Sequence, residues 1–216
     1  MKKVLTLAFA FVFMTGMAFA QSNEASIDQV GNNAEASINQ AGELNDASID
    51  QLDANSNYTA SVLQQGDENE ASIFQDGGNQ KRSVIEQLGD GNDASVTVVG
   101  GGPIDLPDAS DIYQTGNDNA ATISMDLITN GSSTIVQTGN DNEAFVTLDS
   151  GIGDVTQIGN ENFAEINSPF FSSGSQGFVT QEGNFNEGTI IQGTTNNVAT
   201  LNQTGDSNTA TISQSQ

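Results

Sequence analysis

Across 216 residues, 28 Asp and Glu face only 4 Lys and Arg, a formal charge of −24, and there is no His, Cys or Trp. The missing residues exclude imidazole relays, His-bound metals, disulfides and thiolate chemistry, and the lack of basic clusters excludes a phosphate footprint for nucleic acid. Low hydrophobicity at high charge would mean disorder in an aperiodic chain, so the fold has to come from a repeat.

Chain order begins with a leader. Lys2 and Lys3 precede an apolar run from Val4 to Met14, and Ala18, Phe19 and Ala20 form a small-x-small cleavage site. This pattern predicts a secretory signal peptide over 1–20 and a mature chain over 21–216. Removing it leaves Lys81 and Arg82 against all 28 acids, a formal charge of −26. No later segment reaches the roughly 18 apolar residues a membrane helix needs, so no membrane span is expected.

A half-block, Asn23 to Ile27, opens the repeat. The full block then recurs eight times as Gln, any, Gly, any, any, Asn, any, small, any, Ile/Val. Its Gln stands at Gln40, Gln64, Gln87, Gln114, Gln137, Gln157, Gln181 and Gln203. Its Gly stands at Gly42, Gly66, Gly89, Gly116, Gly139, Gly159, Gly183 and Gly205. Its Asn stands at Asn45, Asn69, Asn92, Asn119, Asn142, Asn162, Asn186 and Asn208. The small position is Ala in seven blocks and Gly188 in one.

Period-2 alternation makes these segments strands. Asn45, Ala47, Ile49 and Gln51 share one face, and Asp46, Ser48 and Asp50 the other. A second strand ends on each block Gln, as in Ala36 to Gln40, with an aliphatic residue two positions earlier and a small one four earlier. Seventeen short strands follow, two per coil of about 22 residues. The distance from a block Gln to the matching position of the next strand is always 11 residues, whereas the return to the next block Gln takes 9 to 16. One turn is therefore fixed and the opposite one accepts insertions, near 99–109 and 168–176. The predicted fold is an all-β, two-sheet β-solenoid, one repeat domain, with amyloid-like cross-β stacking. Rungs spaced about 4.8 Å apart would make a stack of roughly 40 Å. Gln and Asn would ladder inside a thin Ala/Ile/Val core. Each block Gly is expected to turn at positive φ, and each Asn to bond backbone in the turn.

The block resembles the curlin repeat, Q-x-G-x-x-N-x-A-x-x-x-Q, through its last Gln at Gln51, Gln75 and Gln214, and at Gln192 with Gly188 for Ala. Ser175 to Gln181 resembles the family's other strand. The resemblance spans nearly all of 21–216. It implies secretion as an unfolded chain and assembly outside the cell into curli-like amyloid fibres at the cell surface, serving adhesion and biofilm matrix. It implies as partners further copies of the chain, a nucleator or other curlin-like subunit, and secretion machinery. The repeat here starts at Asn23, where curlins carry a non-repetitive export segment.

Other readings stay open beside this one. A monomeric adhesin or ice-binding solenoid would use outward pairs such as Thr122 with Ser124, although Phe74, Phe145 and Glu165 interrupt that column. Loose divalent-cation binding fits acidic turns such as Asn117-Asp118-Asn119, but the EF-hand and nonapeptide calcium spacings are absent. Neither end shows a cap, which favours polymerisation. No cofactor and no catalysis are expected, since Lys81 and Arg82 point to opposite faces of one strand. Four acids in one outward column, Glu24, Asp46, Glu70 and Asp93, are expected to repel and to raise one another's pKa values.

Overall fold

The computed structural model describes residues 22–54, 57–78, 80–100, 108–127, 131–168 and 174–215. The leader over 1–20 lies outside them, as do Gly101 to Pro103 and Pro169 to Phe171 in the two expected insertions. The described residues form seventeen strands in two parallel sheets, as the alternation predicted.

The nine-stranded sheet holds β1 (Glu24–Gly31), β3 (Asp46–Ala54), β5 (Glu70–Asp76), β7 (Asp93–Gly100), β9 (Ala120–Leu127), β11 (Glu143–Leu148), β13 (Phe163–Ser168), β15 (Glu187–Gln192) and β17 (Thr209–Gln214), in that order. The eight-stranded sheet holds β2 (Ala34–Ala41), β4 (Tyr58–Gln65), β6 (Lys81–Leu88), β8 (Asp108–Thr115), β10 (Gly131–Thr138), β12 (Gly151–Ile158), β14 (Gln176–Glu182) and β16 (Val198–Thr204). The chain crosses to the other sheet after every strand, which makes a β-solenoid.

Register aligns equivalent residues rung upon rung. Ala47 pairs with Ala71 and Ile49 with Ile73. In the other sheet Ser133 pairs with Gly153 and Ile135 with Val155. The core is the inner face of both sheets, with Ile49, Ile73, Ile85, Ile112, Ile123 and Ile190 among its fully buried side chains. The sheets interlock because small positions on one face aliphatics on the other. A Cβ on Gly153 would lie 2.6 Å from Val146 Cγ1, and one on Gly177 2.8 Å from Ile166 Cγ2. No coil could bury this face alone; stacking does it.

The fixed turns owe their uniform length to a stacked backbone. Each block Gly has positive φ, from 99° at Gly205 to 127° at Gly89. Positive φ is half the reason for glycine there. A Cβ on Gly139 would lie 1.8 Å from the carbonyl oxygen of Gly159 on the next rung, and one on Gly116 2.0 Å from that of Gly139. Gly139→Ala is therefore expected to break the stack at its centre, because neither backbone can yield without opening the ladder. The denaturation midpoint should fall sharply, whereas Ala at Gly193, whose nearest atom would be 3.7 Å away and which lies outside the positive-φ set, should cost little.

Two positions after each Gly comes a second left-handed residue, usually not glycine: Leu44, Glu68, Asp118, Asp141, Glu161, Phe185 and Ser207, at φ of 53° to 58°. Sequence reasoning missed these, since nothing in a Leu or Phe announces that conformation. The cost, about 1–2 kcal/mol per residue, is offset by hydrogen bonds to the turn below, such as Glu68 N to Glu43 O at 2.9 Å and Asp118 N to Asp90 O at 2.9 Å.

Candidate functional site

The features with functional potential are three columns along the stack, two of amides and one of mixed Asp and Asn, and the strand edges where the columns end. The block Gln ladder is continuous. Gln40 Nε2 donates to Gln64 Oε1 at 2.9 Å, and the same bond links every rung to Gln181 and Gln203, at 2.8 Å. Each amide also reaches across the core. Gln114 Nε2 donates to the carbonyls of Asp93 and Asn119, both at 2.9 Å. This second task gives a reason for Gln at all eight block positions: its amide reaches inward-facing backbone carbonyls as well as the next Gln. Gln114→Leu would remove the donor to Gln137 Oε1 and one donor from each of the Asp93 and Asn119 carbonyls, at a cost of about 1–3 kcal/mol. Chemical denaturation should register this as a lower midpoint.

The equivalent ladder of the nine-stranded sheet is interrupted. Gln29 donates to Gln51 at 2.7 Å and Gln51 to Gln75 at 2.9 Å. Val98, Met125, Leu148 and Ser168 then occupy the rungs until Gln192 donates to Gln214 at 3.2 Å. Where the ladder resumes, Gln192 Oε1 is buried without a hydrogen bond among the described residues, since Ser168 stands at the earlier Gln position.

The block Asn side chains form the second column, donating in the opposite direction. Asn92 Nδ2 bonds Asn69 Oδ1 at 3.0 Å and the next turn's Gly116 carbonyl at 2.8 Å. The backbone bond anticipated for these residues is thus made to the adjacent rung. A third column went unrecognised in the sequence. The residue after each block Gly is Asp or Asn in seven of eight blocks. Its Oδ1 accepts the backbone N–H of the equivalent residue one rung earlier: Asp67 N to Asp90 at 2.8 Å, Asp90 N to Asn117 at 2.9 Å, Asn140 N to Asn160 at 3.0 Å. These turn acids are exposed, yet they hold the backbone together. Among the described residues no three acidic side chains converge as a metal cluster.

The basic pair divides as its adjacency required. Arg82 faces outward and meets Asp111 at 2.6 Å. The hydrogen bond to Asp111 holds the guanidinium above its ordinary range. Its side chain is 45% exposed, so the pair adds little stability. Lys81 faces inward and is buried, which the sequence did not reveal. Its Nζ donates to the Gly100 carbonyl and lies 6.0 Å from the ring centroid of Tyr58. Tyr58 is buried in turn, its hydroxyl donating to the Gly77 carbonyl at 2.6 Å. The two brace the variable-turn side of the stack.

The acidic column is a true register column: Glu24 pairs with Asp46, Asp46 with Glu70 and Glu70 with Asp93. At Asp93 the carboxyl is pushed above its usual range, but partial burial is the cause, where like-charge repulsion was expected. Burial also raises Asp154, against a hydrogen bond from Thr134 N–H. The Ser/Thr column considered for ice binding passes from Thr122 through Phe145 to Glu165, so it forms no regular hydroxyl array.

Both ends of the stack present strand edges. Among the described residues β1 and β17 border the nine-stranded sheet, and β2 and β16 the eight-stranded one, each paired on one side only. No helix among them is long and apolar enough to cross a membrane.

No curated protein matches this chain. The family model of the curlin associated repeat matches residues 20–52, 66–100 and 183–215. These stretches contain both ends of the stack and the coil around β5 to β7, and the strands between Gly101 and Glu182 repeat the same register with the block Gln and Asn ladders. The chain therefore carries the curlin associated repeat at both ends of the stack and around β5 to β7, within a solenoid of the same register throughout.

Proposed function

We propose that this protein is an exported structural subunit that polymerises outside the cell into curli-like amyloid fibres for adhesion and biofilm matrix. The leader over 1–20 directs export, and no catalytic step is involved. The observation that carries this reading is the pair of strand edges at each of the two ends of the described stack. Each end presents two parallel strand edges bearing the same inward sequence of small residue, aliphatic and Gln that stacks inside the molecule. An unpaired edge of this kind recruits another strand, and the match to the curlin associated repeat supports self-association. Other curlin-like subunits are natural co-partners because their repeats carry the same triplet, and divalent cations would act loosely on the acidic faces. The test is seeded growth of purified chain lacking residues 1–20. Short fibre fragments should abolish the lag phase and elongate into unbranched fibres in electron micrographs. A folded monomer that ignores seeds would instead favour a discrete adhesin.

A further inference from the structure

We infer that successive chains in the fibre join with a half-turn about its axis, so that each sheet of one subunit continues into the other sheet of the next. This rests on the fibre reading above and concerns how the two ends meet. The argument starts from an odd number. Among the described residues one sheet has nine strands and the other eight, and the chain changes sheet after every strand. A coil continuing past β17 would put its next strand on β16. If an incoming chain kept the first chain's orientation, its β1 would cover β17 and its β2 would stand two rungs above β16. That leaves one strand missing, a gap of about 9.6 Å instead of 4.8 Å, with two backbone edges unpaired inside the fibre. Turned by half, the incoming β1 covers β16 and its β2 covers β17, and no place stays empty.

Side chains fit the turned arrangement in both sheets. Ala25, Ile27 and Gln29 of the incoming β1 fall on Ala199, Leu201 and Gln203 of β16. Ala36, Ile38 and Gln40 of β2 fall on Ala210, Ile212 and Gln214 of β17. Hydrogen-bond polarity fits as well. Both Gln ladders donate toward the C-terminal rung, ending at Gln203 and Gln214, while the Oε1 atoms of Gln29 and Gln40 accept nothing among the described residues. Donors therefore meet acceptors in each sheet. The interrupted ladder acquires a reason. Val98, Met125, Leu148 and Ser168 replace Gln only in the middle of the nine-stranded sheet, and the rungs nearest each end keep it. Only strands that keep the Gln can exchange sheets.

The first variable turn supplies independent support. In the turned arrangement it stacks on the last fixed turn, from Gln203 to Asn208. Gln29 to Gln40 spans 11 residues, the fixed-turn length. Gly31 and Asn33 have φ of 127° and 62°, matching Gly42 and Leu44 at 120° and 58°. The last fixed turn has Gly205 at 99° and Ser207 at 58°. Charge fixes which ends meet. β16 and β17 carry no acid, whereas β1 carries Glu24 and Asp28 and β2 carries Glu35. Joining unlike ends stacks no carboxylates at the junction; joining two N-terminal ends would.

The chain has no Cys, so engineered pairs can report the junction. Exposed residues one rung apart fall within the Cα separation of about 4.4–6.8 Å that a disulfide requires. Fibres of Ser26→Cys/Thr200→Cys and of Ser37→Cys/Thr211→Cys chains, oxidised after growth, should give covalent oligomer ladders on non-reducing denaturing gels. Ser26→Cys/Thr211→Cys fibres should stay monomeric there. Cross-linking of the 26–211 pair, or fibres in which none of the pairs cross-links, would overturn the half-turn while leaving polymerisation intact. Absence of fibres from the parent chain would instead remove the fibre reading itself. Helical reconstruction of parent fibres avoids any effect of the substitutions. It should give a rise per chain of about 41 Å at 8.5 rungs of 4.8 Å, with rotation near 180° after allowing for sheet twist. A rise of about 43 Å, or nine such rungs, without the half-turn would contradict the proposal.

Discussion

Ile123→Asp should prevent both folding of the central coils and fibre growth. Ile123 is 0% exposed and sits between Val96 and Val146 in its column. The substitution forfeits an aliphatic burial worth about 2–3 kcal/mol and places a carboxylate where no partner exists, at a further cost of several kcal/mol. A domain has only about 5–15 kcal/mol in total. Because each coil contacts only its neighbours, the lesion divides the stack in two. The control is removal of Gly101 and Gly102 from the longest variable turn; both lie outside the described residues, and Gly100, the acceptor of Lys81, stays in place. That change should alter the elongation rate far less. Similar losses from both, read by circular dichroism and seeded growth, would mean that the inward column does not decide assembly.

The second large effect is expected from pH and charge. Two unit charges about 4.8 Å apart in water repel by about 0.9 kcal/mol before screening, and Glu24, Asp46, Glu70 and Asp93 stand on four successive rungs. Asp93 has a carboxyl raised by partial burial. An acid raised in the folded state binds protons there more readily than in the unfolded chain. Its penalty is therefore full above the folded pKa and is relieved as pH falls through that value toward the unfolded one. Assembly should be faster at pH 4.5 than at pH 7.5, and salt should narrow the difference. Glu70→Gln/Asp93→Asn should accelerate assembly at pH 7.5 and flatten the pH response. A double variant with the parent's full pH dependence would assign the effect to the diffuse negative charge instead.

Much of this architecture was legible because a solenoid places sequence equivalents directly above one another. The recurring Gln at positions such as Gln114 and Gln137 reads as a ladder, and the 11-residue spacing as a fixed turn, from the residues alone. What escaped notice depends on contacts between rungs that composition hides. The left-handed Glu161 and Phe185 are held by backbone bonds to neighbouring turns, and their side chains give no sign of it. Adjacency put Lys81 and Arg82 on opposite faces without saying which was inward; the burial of Lys81 follows from the inward phase at the start of β6, beside Tyr58 on the preceding rung. The Asp and Asn column at Asp67, Asp90 and Asn117 was visible as a recurring residue class, yet its use as a backbone acceptor needed the rung geometry. The pKa rise at Asp93 came with a different cause for the same kind of reason: charge spacing can be counted from sequence, whereas burial cannot.

The central claim is that this coil continues from one molecule into the next. X-ray diffraction from aligned fibres of the purified chain lacking residues 1–20 tests it most directly. A meridional reflection at about 4.7–4.8 Å with an equatorial one near 10 Å is the predicted result. Ordered assemblies that lack the meridional reflection, or particles that stay the size of one solenoid, would contradict it.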